Sequence, residues 1–321
     1  MNYKLHCYFH SLYRIPSMVQ ISDSITVEFV SCGKECSEYH RYVDKGAFYE
    51  LFLSTSSEKD ALVIVDLLCA AYTVVSGYNT FNPKELMMEI MPEEEKKRRF
   101  LIPSAHHIED DIYWFFAAKL VEKIYSNQTY ENAVCRYHTA HEIIDLHPME
   151  LHPFEDEFQE DYSLTEQIRI ANLIIVCQSV LEELGINVSK KGVALLDNNN
   201  NEWSKPILDQ YSCVLQSFGI ECNKTIPWLF RMGLSASAEN TVLDKSHLCE
   251  WSKGIIHDYE MKIIDGILEL KRLRNKIGAH TLENRVLKLS IYDVENAFSL
   301  VRTVLLDYFK INVFEVFPAL D

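Results

Sequence analysis

The amino-acid sequence predicts a mainly α-helical chain, with an α+β region at its N-terminus and a helical bundle after it. Three observations predict this. Short alternating or aromatic-rich runs are confined to roughly the first 55 residues. Apolar residues recur at spacings of three and four almost everywhere from Glu58 onward. A Pro-punctuated acidic stretch, His147 to Glu157, divides the chain, so the expected domains are 1–155 and 160–321.

In order, Tyr3 to Phe9, Ile25 to Val30 and Phe48 to Leu53 read as strands of a small antiparallel sheet, broken by Pro16, Ser22, Asp23 and Gly33. Ala61 to Val75 is the longest apolar stretch. It falls short of the ~18 to 20 residues a membrane span needs and carries Asp66, so it predicts a buried core helix and no membrane association. Asp110 to Ile124, with Ile112, Phe116, Leu120 and Ile124 on one stripe, and Tyr130 to Ile144 give two more helices. Leu164 to Leu184 is a strongly apolar helix, and Gly185 suits its left-handed cap.

A low-complexity loop, Asp197 to Glu202, precedes a shorter helix from Ile207 to Phe218, and Trp228-Leu229-Phe230-Arg231 reads as a short apolar helix. Ile256, Tyr259, Ile263, Ile267, Leu270, Leu273 and Ile277 then form one stripe ending at Gly278. Val294, Phe298, Val301, Leu305 and Tyr308 form the last, after a Ser290 cap. The second half is therefore expected to be all-helical.

Composition narrows the function. The chain has 321 residues, 48% of them hydrophobic, which suits one or two folded cores rather than a disordered protein. A net charge of −16 argues against broad attraction of nucleic acid to the whole surface. Nine scattered cysteines, an odd number, read as reduced and cytoplasmic. Cys32 and Cys36 form the one close pair; without a second pair they read as two half-buried thiols near a turn at Gly33, not a zinc site. Ten glycines build no Walker or dinucleotide loop, and there is no nucleophile elbow, so kinase, dehydrogenase and hydrolase readings are weak.

The chemistry concentrates in Leu270-Lys271-Arg272-Leu273-Arg274-Asn275-Lys276-Ile277-Gly278-Ala279-His280. An Arg near a His offers a permanent cation for a phosphate oxygen and a titratable imidazole for moving a proton. Those are the two services that RNA cleavage through its own 2′-hydroxyl requires, and no cofactor or metal is needed. Arg274 is followed by the polar Asn275, and five residues separate it from His280. This segment, placed at the end of the penultimate helix, resembles the signature of the HEPN family of helical domains.

The resemblance covers about residues 160 to 321. It implies a HEPN-like bundle that cleaves single-stranded or loop RNA across a homodimer interface, leaving a 2′,3′-cyclic phosphate and a 5′-hydroxyl. Arg274 would hold the scissile phosphate, Asn275 would orient it, and His280 would transfer the proton. Lys271, Arg272 and Lys276 complete a cation cluster for RNA phosphate. Proteins of this type act as toxins or antiviral effectors, with a regulatory or antitoxin partner. A toxin subgroup carries a Tyr two positions after the motif His; Leu282 stands there, so nucleotidylation control is not supported. The competing reading is a non-catalytic module of the same fold that binds a partner protein or RNA, with Arg274 and His280 in structural roles at a helix end.

Spacing sharpens the expectation. On an unbroken helix, residues 274 and 280 stand about 120° apart and roughly 9 Å displaced along the axis. Unwinding at Gly278, or a second copy, would bring them together.

Other clusters are weaker. His138 and His141, with Glu142 adjacent, share a helical face but lack the zinc-protease order, and read as exposed polar positions. His106, His107, His147 and His152 also lie in the histidine-rich first half, and Glu93 to Arg99 reads as a solvated helix. Trp203, Trp228 and Trp251 read as core anchors. Residues 1–160 hold 14 basic and 26 acidic groups, and residues 161–321 hold 17 and 21, so most of the acidity lies outside the motif's half.

Overall fold

The computed structural model describes residues 2–9, 15–36, 46–55, 58–77, 87–90, 112–125, 130–145, 164–187, 194–197, 202–231, 256–280 and 289–313. The chain divides into two compact units, Met1–Glu142 with Ile311–Asp321, and Ile143–Lys310. The expected boundary at 155 to 160, the segments Glu93 to Arg99 and His147 to Glu157, and His106, His107 and Trp251 lie outside the described residues. Helices hold most of the described residues. Among the described residues, no helix is long and apolar enough to cross a membrane.

The first unit carries a five-stranded antiparallel sheet of β1 (Asn2–Phe9), β2 (Met18–Ser22), β3 (Ile25–Cys36), β4 (Gly46–Ser54) and β5 (Met87–Ile90). Their order is β2-β3-β4-β1-β5. Val19, Ile21, Ile25, Val27 and Phe29 are buried on alternating positions, the period expected of strands with one face on a core. β2 and β5 are additions to the sequence expectation; at five and four residues they are too short for alternation to stand out. No turn forms at Gly33. β3 runs on to Cys36, and its pairing with β4 shifts register between Ser31 and Glu35. An irregular ladder absorbs the glycine without reversing the chain. The Cys32 and Cys36 side chains lie outside the described residues.

Helix α1 (Glu58–Ser76) is the buried core helix expected from Ala61 to Val75. It packs against α2 (Tyr113–Tyr125), which also lies on β2. Trp114 joins the layers: its ring centroid stands 4.5 Å from Tyr72 of α1 and 5.1 Å from Phe29 of β3. Helix α3 (Glu131–Asp145) follows.

The second unit contains α4 (Leu164–Glu183), α5 (Lys205–Ser217), α6 (Ile263–His280) and α7 (Ile291–Phe309). Gly185 ends α4 at φ +78°, while its N–H and that of Ile186 return to Glu182 and Leu181 carbonyls at 3.0 and 2.9 Å. This is the left-handed cap the sequence suggested. Ser290 caps α7, and its backbone N–H donates to the Asp293 carboxylate at 2.8 Å.

This unit is not all-helical. Thr225–Arg231 and Ile256–Lys262 pair as an antiparallel ribbon, β6 and β7. Trp228 to Phe230 are thus strand rather than helix, and Ile256 and Tyr259 precede α6 instead of opening it. Thr225 and Pro227 are exposed while Ile226 and Trp228 are buried, a period of two that the run Trp-Leu-Phe conceals. Across the ribbon, Ile256 and Tyr259 are three apart by coincidence with a helical stripe. The ribbon is held to α7 by Asn296, whose amide accepts the Leu229 N–H at 2.7 Å and donates to the Leu229 carbonyl.

Candidate functional site

Helix α6 carries every residue singled out for RNA chemistry, and its packing decides which of them face solvent. It lies against α4, α5 and α7. Ile263, Ile267, Leu268, Leu270 and Leu273 are buried along it. Close approach at its first turns depends on Gly266, where an added Cβ would stand 3.1 Å from Leu300 Cδ1 and 3.2 Å from Trp228 Cζ3. The helix is thereby seated between α7 and the ribbon.

With that stripe turned inward, the polar positions sort themselves. Arg272 is buried, and so is Glu269 one turn earlier. The guanidinium meets the carboxylate side-on: Nε and Nη2 each donate to a different oxygen at 2.6 Å. Such a two-point pair compensates two charges that burial would otherwise penalise heavily. Arg272 is thus committed to the interior.

Lys271 is half-buried and tied sideways. Its ammonium donates to the Tyr211 hydroxyl of α5 at 3.0 Å and to Asn187 Oδ1, just beyond α4, at 3.4 Å. It also sits 5.3 Å from the Tyr211 ring centroid. Arg274 and Asn275 are exposed, and Lys276 is half-buried. Arg274 makes no hydrogen bond or ion pair among the described residues.

Gly278 does not end the helix. α6 continues through it to His280, whose side chain lies outside the described residues. Glycine costs a helix interior only about 1 kcal/mol against alanine, a penalty that packing upstream readily offsets. Positions 274 and 280 therefore keep the separation of about 120° and roughly 9 Å within one chain. The structure brings Arg274 and Asn275 side by side but leaves position 280 on another side of the same helix.

The far end of this region is fixed as well. Gln167 of α4 donates to the Leu289 carbonyl at 2.9 Å and accepts the Leu289 N–H at 2.8 Å. The chain leaving α6 is thus re-anchored just before α7.

Three residues here were not foreseen: Glu269, Tyr211 and Asn187. Glu269 was legible, since Glu and Arg three apart on a helix are neighbours. Tyr211 and Asn187 lie 60 and 84 residues from Lys271 and carry no local signal.

In the first unit, His138 is buried, not exposed as its sequence context suggested. Its Nδ1 and the Thr73 hydroxyl share a hydrogen bond of 2.8 Å. Burial lowers its pKa from 6.5 to about 4. The Glu142 carboxylate, 3.6 Å from Nε2, would favour the charged ring, but it is partly solvated and its pull is screened. Among the described residues, no three His, Cys, Asp or Glu side chains are grouped to hold a metal ion.

Comparison with protein-family models, with curated proteins and with solved structures finds no match to this chain.

Proposed function

We propose that the chain is a metal-independent endoribonuclease of HEPN type, and that α4 to α7 form its HEPN-like bundle. The observation that carries the reading is the pairing of exposed Arg274 and Asn275 near the C-terminal end of α6, with His280 in the last turn of the same helix. A guanidinium in that setting stabilises the charge that builds on a phosphate oxygen during in-line attack. The RNA 2′-oxygen bonds to phosphorus as its proton leaves to a base. The bond to the 5′-oxygen breaks as that oxygen gains a proton, giving a 2′,3′-cyclic phosphate and a 5′-hydroxyl. His280 serves this proton traffic.

The separation of residues 274 and 280 supports a homodimer as the active form, in which Arg274 of one copy works with His280 of the other. The cellular role that fits is a toxin or antiviral effector of the cytoplasm, held in check by the first unit or by an antitoxin partner. The same separation favours the second reading, a non-catalytic module, if no dimer forms.

The test is RNA cleavage by the purified chain in EDTA. Arg274→Ala and His280→Ala should each abolish cleavage while leaving the circular dichroism spectrum unchanged. Undiminished activity in both variants would exclude the enzymatic reading. A His280-dependent reaction should also change rate through the range around pH 6.5, and a flat profile from about pH 5 to 9 would remove His280 from the proton path.

A further inference from the structure

The cations between Lys271 and Lys276 look alike in sequence, and the fold separates three of them, Lys271, Arg272 and Arg274. Arg272 is closed against Glu269 by two bonds of 2.6 Å. Lys271 is held by Tyr211 and Asn187 from two neighbouring segments. Arg274, one turn beyond Lys271, is exposed. The Arg272 pair lies within α6 and only withdraws that cation from solvent, whereas the Lys271 ties run to other segments and restrain the helix against rotation. That restraint sets the direction in which Arg274 and Asn275 emerge.

We infer that Lys271 is a positioning residue for α6, and that among Lys271, Arg272 and Arg274 it is Arg274 that takes an RNA phosphate. The inference rests on the ribonuclease reading for its ligand, but not for its assignment of the cations. It has a consequence for recognition. A protein that neutralises many phosphates binds RNA with steep salt dependence, whereas one contact to single-stranded RNA contributes a slope of only about −0.7 in log K against log salt. Of Lys271, Arg272 and Arg274, then, only Arg274 is expected to contribute to the salt dependence of RNA binding.

Two measurements on the full chain test this. In the first, the native protein is labelled with an arginine-selective dicarbonyl and an amine-acylating reagent, and the sites are read by mass spectrometry. Arg274 should label quickly and Arg272 and Lys271 slowly, with Tyr211→Phe raising the rate at Lys271. Labelling of Lys271 or Arg272 as fast as Arg274 would overturn the assignment.

In the second, binding of a 2′-deoxy-blocked single-stranded RNA probe is followed against salt. Arg274→Gln should flatten the slope by about 0.7, and Lys271→Gln should leave it unchanged. An equal loss of slope in Lys271→Gln would make Lys271 a phosphate ligand and overturn the assignment. With cleavable RNA, Tyr211→Phe and Lys271→Gln should lower kcat while KM holds; unchanged turnover in both would remove the positioning role. Absence of RNA binding by the wild-type chain would overturn the ribonuclease reading, and the labelling result would then decide the cation assignment alone.

Discussion

Gln167 and Leu289 are joined at both hydrogen-bonding groups of the Leu289 backbone, by bonds of 2.9 and 2.8 Å. The side chain of one helix thus completes the chain just ahead of another, 122 residues away. Gln167→Leu would leave a buried N–H and a buried carbonyl without partners. A destabilisation of about 2 to 3 kcal/mol is expected from urea titration. A loss below about 0.5 kcal/mol would show that water replaces the amide.

The Glu269 and Arg272 pair yields a larger effect. Glu269→Ala strands a buried guanidinium and should cost about 3 to 5 kcal/mol, whereas replacing both partners by Met should recover most of that loss. Denaturant melts of the single and double variants give the comparison. Equal stability of Glu269→Ala and wild type would place the guanidinium in solvent after all.

Gly266→Ala sets two effects against each other. Alanine gains about 1 kcal/mol of helix propensity, but its Cβ would press on Leu300 and the buried Trp228 ring at 3.1 and 3.2 Å. Overpacking of this kind costs about 1 to 3 kcal/mol. Because the Trp228 ring is enclosed, a net loss of about 1 kcal/mol is expected in thermal unfolding, and a gain would mean that the ring yields.

The buried His138 predicts acid sensitivity of the first unit. Its folded pKa, about 4, lies below the unfolded value of 6.5, so the unfolded chain binds the extra proton between these limits. Stability is full above about pH 6.5, falls as pH drops, and levels off below about pH 4, with a loss on the order of 3 kcal/mol. Unfolding curves from pH 4 to 7.5 should show this slope in wild type and a shallower one in His138→Gln. Identical slopes would assign the acid sensitivity to other groups.

Legibility in the sequence followed the range of the interactions involved. The α1, α4 and α7 spans and the three longer strands were readable because each writes its period into consecutive residues. The β6 and β7 ribbon is concealed in the sequence because a short strand with Leu229 and Phe230 following Trp228 imitates an apolar helical turn, and because the spacing of Ile256 and Tyr259 imitates a stripe. Gly278 resembles a stop in sequence, yet the helix passes through it. At His138 local context pointed to solvent, and the Thr73 hydroxyl, 65 residues away, supplied the partner that makes burial tolerable.

By itself the sequence determined the helical character of most of the described residues, the N-terminal sheet, and the presence of Arg274, Asn275 and His280 on one segment with a cation cluster around them. These follow from side-chain period and residue type, which are local. Only the tertiary structure decided that Arg272 faces inward to Glu269, that Lys271 is tied to Tyr211 and Asn187, and that Arg274 is left exposed. The physical reason is that the fate of a charge depends on what desolvates or pairs with it, and for α6 that is set by α4, α5 and α7 packing around its apolar stripe.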